Sequence, residues 1–226
     1  MDNSKKQDYV DMRHFLNYEA VKSNIVYKLI NTERNRELLE DIPYIEFLDL
    51  SIVFQCLISK KEFHLETLLI HNVHTKLWGV TVEELYRAAE ENTQKILPYE
   101  LRNMMDVMDE ILEAEGTEEF KQEDCMAEPE SNKLMYVLSN QKSIEGAVSM
   151  IYPGLLKDFS DRMGSSFYII PSSVHEVLLL PAENPEDREN LKGMIKEIND
   201  TQMEAEEILS YSLYWFDNIK GKICIL

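Results

Sequence analysis

Residues 48–58 read Leu48-Asp49-Leu50-Ser51-Ile52-Val53-Phe54-Gln55-Cys56-Leu57-Ile58. Leu48, Leu50, Ile52, Phe54, Cys56 and Ile58 recur at every second position, with the polar Asp49, Ser51 and Gln55 between them. A period of two marks a β-strand that presents one apolar face. The polar break Ser59-Lys60-Lys61-Glu62 leads into a second β-rich run, Phe63 to Val73, so the two segments predict a hairpin. Upstream, Val21, Ile25, Val26, Leu29 and Ile30 stand at helical spacing, and Leu38 with Leu39 continues that face. The spacing predicts a helix over 19–39 that Pro43 stops.

Working outward toward the C-terminus, Thr81 and Glu84 form a capping box, with Val80 and Leu85 as its hydrophobic staple, at the head of a helix reaching about Asn92. A further helical stretch is expected from Glu100 to about Glu113 after Pro98, and a buried strand over Leu134–Leu138. Ala147 to Met163 is amphipathic but must split at Pro153-Gly154, and Gly164 supplies a C-terminal stop. Phe167–Ile170 and Val177–Leu180 are short apolar runs joined by Pro171-Ser172-Ser173-Val174-His175-Glu176. Asn184-Pro185 opens another helix, Thr201 and Glu204 suggest a capping box for a last one, and Lys222–Leu226 closes as a strand. This order predicts an α+β fold with a mixed, partly antiparallel sheet and flanking helices. Residues 1–18 read as a frayed lead-in and 19–226 as one α+β domain. An acidic connector at about 114–131 divides that domain into sub-halves 19–113 and 132–226.

Charge narrows the function classes. The 226 residues carry 23 Lys and Arg against 42 Asp and Glu, a net charge of −19. Binders of nucleic acid gain affinity by neutralising phosphates, and anionic membrane surfaces select cations in the same way, so neither is an expected partner. The window Asp109–Glu130 holds ten acids opposed only by Lys121. It reads first as a solvated connector and second as a negative surface that imitates a phosphate backbone to occupy a basic protein. Three widely spaced cysteines, Cys56, Cys125 and Cys224, fit reduced thiols and a cytoplasmic location. Cys125 sits among carboxylates, which disfavour its thiolate.

Cofactor signatures are missing: no Gly-x-Gly-x-x-Gly or Walker-type loop, no Gly-x-Ser-x-Gly, no His-Glu-x-x-His and no Cys-x-x-Cys occurs, so no cofactor is expected. Three weaker constellations remain. His71 and His74, with His64 upstream, have metal-ligand spacing, but at the end of a strand residues three apart diverge. Ser172, Ser173, His175 and Glu176 place hydroxyls, an imidazole and a carboxylate in one loop, which reads first as a turn whose serine hydroxyls satisfy the loop backbone and whose His175 hydrogen-bonds locally, then as a binding surface, then as a hydrolase set with His175 as base and Glu176 or Ser173 assisting. Tyr211, Tyr214, Trp215 and Phe216 form an aromatic cluster that reads first as packing a last helix onto the sheet and second as lining a ligand cleft or anchoring a partner, with Tyr214 and Trp215 as the expected contacts.

Several segments together resemble an uncharacterised bacterial family, a domain of unknown function. The resemblance runs through Lys28-Leu29-Ile30-Asn31, Asn35, Leu38-Leu39, Phe47-Leu48-Asp49-Leu50, Trp78-Gly79-Val80-Thr81 with Glu84-Leu85, Asn92-Thr93 and Leu97-Pro98. It continues in Met135 to Asn140, Gly146-Ala147 and Tyr152-Pro153-Gly154, and is most specific in Tyr168-Ile169-Ile170-Pro171-Ser172-Ser173-Val174-His175-Glu176. It implies a bacterial origin, the lack of an N-terminal segment usual in the family, and no assigned reaction. The combined expectation is a non-catalytic binding or regulatory protein with a protein partner, the Ser172–Glu176 loop and nearby aromatics forming its contact surface.

Overall fold

The computed structural model describes residues 14–61, 64–114, 135–181 and 187–226. Its first sheet holds strands β1 (Ile25–Asn31), β2 (Tyr44–Phe47), β3 (Leu50–Lys61) and β4 (His64–Leu69). Strand β3 is central: β1 pairs along one side, while β2 and then β4 pair along the other. The alternating run folds as a strand from Leu50 onward, with Leu50, Ile52, Phe54 and Cys56 in the main core, while Leu48 lies exposed in the turn before it. The polar residues between them are buried as well: Ser51 shares a 2.9 Å hydrogen bond with Thr32, and Gln55 reaches Glu145.

The helix expected over 19–39 is absent. A single turn, α1 (Tyr18–Val21), precedes β1, and another, α2 (Arg36–Leu39), follows it. Ile25, Tyr27 and Leu29 enter the main core while Val26 is buried on the opposite face. A strand covered on both faces loses its polar alternation, and its apolar run then imitates helical spacing. The outer edge of β1 is closed by α4 (Val82–Ile96), whose Thr93 hydroxyl accepts the Tyr27 N–H and whose Asn92 amide donates to the Ile25 carbonyl. Free strand edges invite foreign pairing, and this one is sealed from within. The Thr81–Glu84 capping box heads α4 as expected, and Leu85, Ala89 and Thr93 at intervals of four form its buried stripe. Strand β4 ends at Leu69, and α3 (Asn72–Trp78) takes up what was read as its continuation.

A second sheet has the order β10-β9-β7-β8-β6-β5, formed by β5 (Tyr99–Asn103), β6 (Tyr136–Asn140), β7 (Phe167–Ile170), β8 (Val177–Pro181), β9 (Tyr214–Asp217) and β10 (Lys222–Ile225). The fold is α+β, and every strand pair among the described residues is antiparallel, so the mixed sheet expected from sequence is replaced by two antiparallel ones. Residues 100–103, expected to open a helix, lie instead in β5 and pair with β6, and α5 (Met104–Ala114) starts only afterwards. Strand pairing outweighs the weak helical preference there. Residues 115–134, which hold most of the acidic connector and Cys125, lie outside the described residues.

The split at Pro153-Gly154 separates a 3-10 segment, Gly146–Ile151, from α6 (Leu155–Met163), which ends on Gly164 at φ 70°. The apolar β7 has both faces covered: Phe167 and Ile169 join the main core, Tyr168 and Ile170 a second one with Leu180 and Ile195. Ile195 comes from α7 (Asp187–Thr201); its expected cap, Asn184-Pro185, lies outside the described residues. No helix follows Thr201, which instead ends α7 and donates its hydroxyl to the Glu197 carbonyl. The chain beyond it turns at 205–207, where the Glu207 N–H donates to the Glu204 carbonyl, and is then tied down because Asn199 binds the Ser210 carbonyl and Asn31 the Leu209 carbonyl, each at 3.0 Å. Among the described residues no helix is long and apolar enough to cross a membrane.

Candidate functional site

The Pro171–Glu176 loop joins β7 to β8 and is fastened from several sides. The Ser173 N–H donates to the Glu176 carbonyl, and the Ser173 hydroxyl accepts the His175 N–H at 3.0 Å. Val174 donates its N–H to the Glu207 carbonyl and accepts the Ala147 N–H on its own. The His175 carbonyl accepts the Ser139 hydroxyl at 2.7 Å, and His175 Nδ1 accepts the Glu145 N–H at 3.1 Å. The Ser172 hydroxyl turns to Glu176 at 3.3 Å.

These partners decide what the loop can do chemically. A serine nucleophile needs its hydroxyl proton aimed at the imidazole. Here Ser173 is buried and accepts from the His175 backbone, while the free imidazole nitrogen, Nε2, points toward the Glu207 carboxylate at 3.9 Å. Ser172, His175 and Glu176 are half-buried and Ser173 is not at the surface. Tyr214 is fully buried with its hydroxyl on Asp49, and Trp215, on the opposite face of β9, packs edge-on against Tyr168 at 5.1 Å. The structure therefore does not bring the serine, imidazole and carboxylate into one catalytic line, nor the two aromatics onto the loop.

It does bring together a set of residues that sequence reading passed over. Glu145 sits at φ 51°, left-handed backbone that a non-glycine residue adopts only under tertiary constraint. Its carboxylate holds Lys28 Nζ at 2.5 Å and the Gln55 side-chain amide, while its N–H holds His175. The next residue, Gly146, is where the chain passes closest to the loop: a Cβ there would lie 2.5 Å from the His175 carbonyl oxygen and 2.7 Å from the Asn140 nitrogen, and would meet the Ser139 hydroxyl. The loop is thereby connected through Glu145 to Lys28 on β1 and Gln55 on β3.

Lys28 and Gln55 in turn form part of a cleft of about 670 Å³ on the face of the first sheet opposite the main core. Its floor includes Ile30, Val53, Thr67 and Leu69; Arg34 and Asn35 stand on one side, Val174 and Ile208 on the other. The volume lies within the range of ligand pockets, about 300–1,000 Å³. Arg34 is exposed and donates Nη2 to the Ala205 carbonyl at 3.1 Å, tying the two walls together. Lys28, Ile30, Asn31, Asn35 and Val174 all belong to segments that carry the family resemblance, and that was the available signal for the cleft.

A carboxylate node holds the far wall. Asp49, in the two-residue turn between β2 and β3, accepts the hydroxyls of Ser210 at 2.5 Å, Ser212 at 3.0 Å and Tyr214 at 2.6 Å. Burial and the adjacent Asp49 charge push the Tyr214 phenol up, so it stays a donor. Leu48 in the same turn has φ 58°, a place where glycine is usual, and the three hydroxyls hold the turn in that shape.

The histidine pair lies elsewhere. His71 caps α3 and His74 follows within its first turn, so the helical backbone brings them together, contrary to the divergence expected from a strand. Their Nδ1 atoms are nevertheless engaged: that of His71 donates to Asp41 at 2.8 Å, and that of His74 accepts the His71 N–H at 2.9 Å. The His64 side chain lies outside the described residues, and among those described no group of three His, Cys, Asp or Glu is arranged around a metal position. A larger cavity, about 890 Å³, lies between α1, Trp78 and α4, where Glu19, Glu84 and Glu91 face Lys22 and Arg87.

An α+β scaffold with two antiparallel sheets, a fastened interstrand loop and a polar-rimmed cleft defines a class of domain, not a reaction. Within that class, the chain belongs to a family of unknown function, DUF5688, whose profile matches residues 1–218. No curated protein and no solved structure matches it.

Proposed function

We propose that the chain is a non-catalytic binding module of a bacterial cytosol, whose cleft above Lys28, Ile30 and Gln55 takes an extended segment of a partner protein. The observation that carries this reading is the contrast in hydrogen bonding: the Ser173–His175 pair is consumed by backbone partners, whereas the neighbouring cleft is open. Its half-buried lining alternates apolar Ile30 and Leu69 with polar Lys28 and Thr67, over the buried Val53 and Gln55. Alternating pockets and donors suit an extended peptide, whose side chains alternate and whose carbonyls need donors. The Ser172–Glu176 loop serves as the rigid wall, contributing Val174 to the cleft and orienting Lys28 through Glu145.

Panning a random-peptide display library on the intact protein tests the reading. Selected peptides are expected to bind at least tenfold more weakly to Arg34→Glu and to Thr67→Trp, with unfolding midpoints unchanged. Peptides whose affinity ignores both substitutions would place binding elsewhere. Turnover of ester or amide substrates that His175→Gln abolishes would replace the reading with a hydrolase.

A further inference from the structure

A third cavity, about 430 Å³, opens on the other face of β3, where Ile52 points away from the cleft lined by its neighbour Val53. It lies where the two sheets meet, so that Phe47 and Ile52 from the first face Phe216 and Ile223 from the second, with Tyr86 of α4 and Tyr152 completing the wall. Nearly all of this lining is aromatic or aliphatic. The charged groups on it are Lys157 and Lys222, and no carboxylate lines it. In a protein with 42 acids and 23 cations that is a marked local reversal, since each of the two larger cavities includes at least one glutamate in its lining.

The two lysines are differently placed. The Lys157 stem lies against Gly221, and its ammonium pairs with Asp161 one helical turn on. Lys222, exposed at the start of β10, has no carboxylate partner among the described residues. An apolar hollow with cations at its rim discriminates by chemistry: burial of hydrocarbon supplies the affinity, and the ammonium groups select an anionic head over a neutral one.

We propose that this cavity binds an amphipathic carboxylate, a single acid group on an apolar chain or ring system. The site is separate from the peptide cleft, and its test does not depend on that cleft being occupied. Titration calorimetry of the intact protein with decanoate, and in parallel with decanol, reads both halves of the claim. Decanoate is expected to bind about tenfold more tightly than decanol, a difference of about 1.4 kcal/mol, with the unpaired Lys222 contributing more than the Asp161-paired Lys157. In the Lys157→Ala/Lys222→Ala double variant that preference falls to roughly twofold or less, while decanol binding is unchanged. Ile223→Trp, on a partly exposed strand position, fills the cavity and weakens both ligands by at least fivefold. Arg34→Glu, in the other cleft, leaves both isotherms as they are. Equal affinity for acid and alcohol in the unmodified protein, or decanoate binding untouched by Ile223→Trp, overturns the assignment.

Discussion

The loop at 171–176 and the cleft beside it are built from similar materials and end in opposite states. Each combines small polar side chains with aliphatic ones, and each is reached by a strand whose two faces are covered. In the loop, backbone groups of Ser173, Val174 and His175 bond Glu176, Glu207, Ala147 and Ser139, and the Ser173 hydroxyl accepts the His175 N–H. Around the cleft, Lys28 and Gln55 are drawn to one carboxylate at one end, Val53 is buried with Leu39 and Ile42, and Ile30, Thr67 and Leu69 stay half-buried along the rest of the lining. What separates them is how the neighbouring backbone closes in. Gly146 lets the chain come within van der Waals distance of the loop. A dense run of Ser, His and Glu is therefore evidence of hydrogen bonding, and not in itself of a surface.

The sharpest way to break this contrast is to move the backbone off the loop. Gly146→Ala forces a methyl group into the His175 carbonyl and the Asn140 nitrogen, both backbone atoms that cannot swing away. A loss of about 3 kcal/mol or more in denaturant unfolding is expected, the scale of overpacking at a rigid contact; a loss below about 1 kcal/mol would mean the loop is not seated as described. Next comes the far wall of the cleft. Asp49→Ala strands three hydroxyls, two of them on the buried Ser210 and Tyr214, and should cost about 2–4 kcal/mol. The same unfolding measurement on Tyr214→Phe, which removes one bond, should give about a third of that.

Glu145 sharpens the comparison because it belongs to both regions. Glu145→Ala removes the ion pair with Lys28 and keeps the left-handed backbone, while Glu145→Gly removes the pair and relieves the strain. Since that strain is worth about 1 kcal/mol for a side-chain-bearing residue, the glycine variant is expected to be the more stable of the two by about that amount. The reverse order would show that Glu145 is not held at φ 51° by its partners. Smallest is a control remote from both regions. Burial and the adjacent His71 lower the His74 pKa from 6.5, with Asp41 opposing. The fold thus prefers neutral His74, whose contribution is present above pH 6.5 and is lost as the pH falls through the lowered value. Stability should decline slightly as the pH falls from 6.5 through the lowered value and level off beneath it, and His74→Gln, which keeps an acceptor for the His71 N–H without titrating, should lessen the decline.

Short-range patterns were legible in the sequence. The alternation of β3, the Thr81–Glu84 cap, the Gly164 stop and the two strands around Pro171 all depend on residues within a few positions of one another. Strand β1 was not, because Ile25, Val26, Leu29 and Ile30 fit a helix period as well as a strand buried on both faces, and only the register with β3 decides. Thr201 and Glu204 match a cap in spacing, but the chain turns at 205–207 and Asn31, Asn199 and Asp49 then bind Leu209 and Ser210. The candidate site was invisible for the same reason: Lys28 and Glu145 are 117 positions apart, Asp49 and Tyr214 165. The positive φ of Leu48 and Glu145 carried no signal either, since neither is a glycine or asparagine.

The central claim, that the loop is a wall and the cleft receives the partner, is tested most directly by amide chemical shifts of the labelled protein titrated with a selected peptide. Perturbations are expected at Lys28–Asn35, Thr67–Leu69 and Ala205–Ile208, with Ser172 and Ser173 nearly still. Shifts concentrated on Ser172–Glu176, with the β1 and β4 amides unmoved, would contradict it.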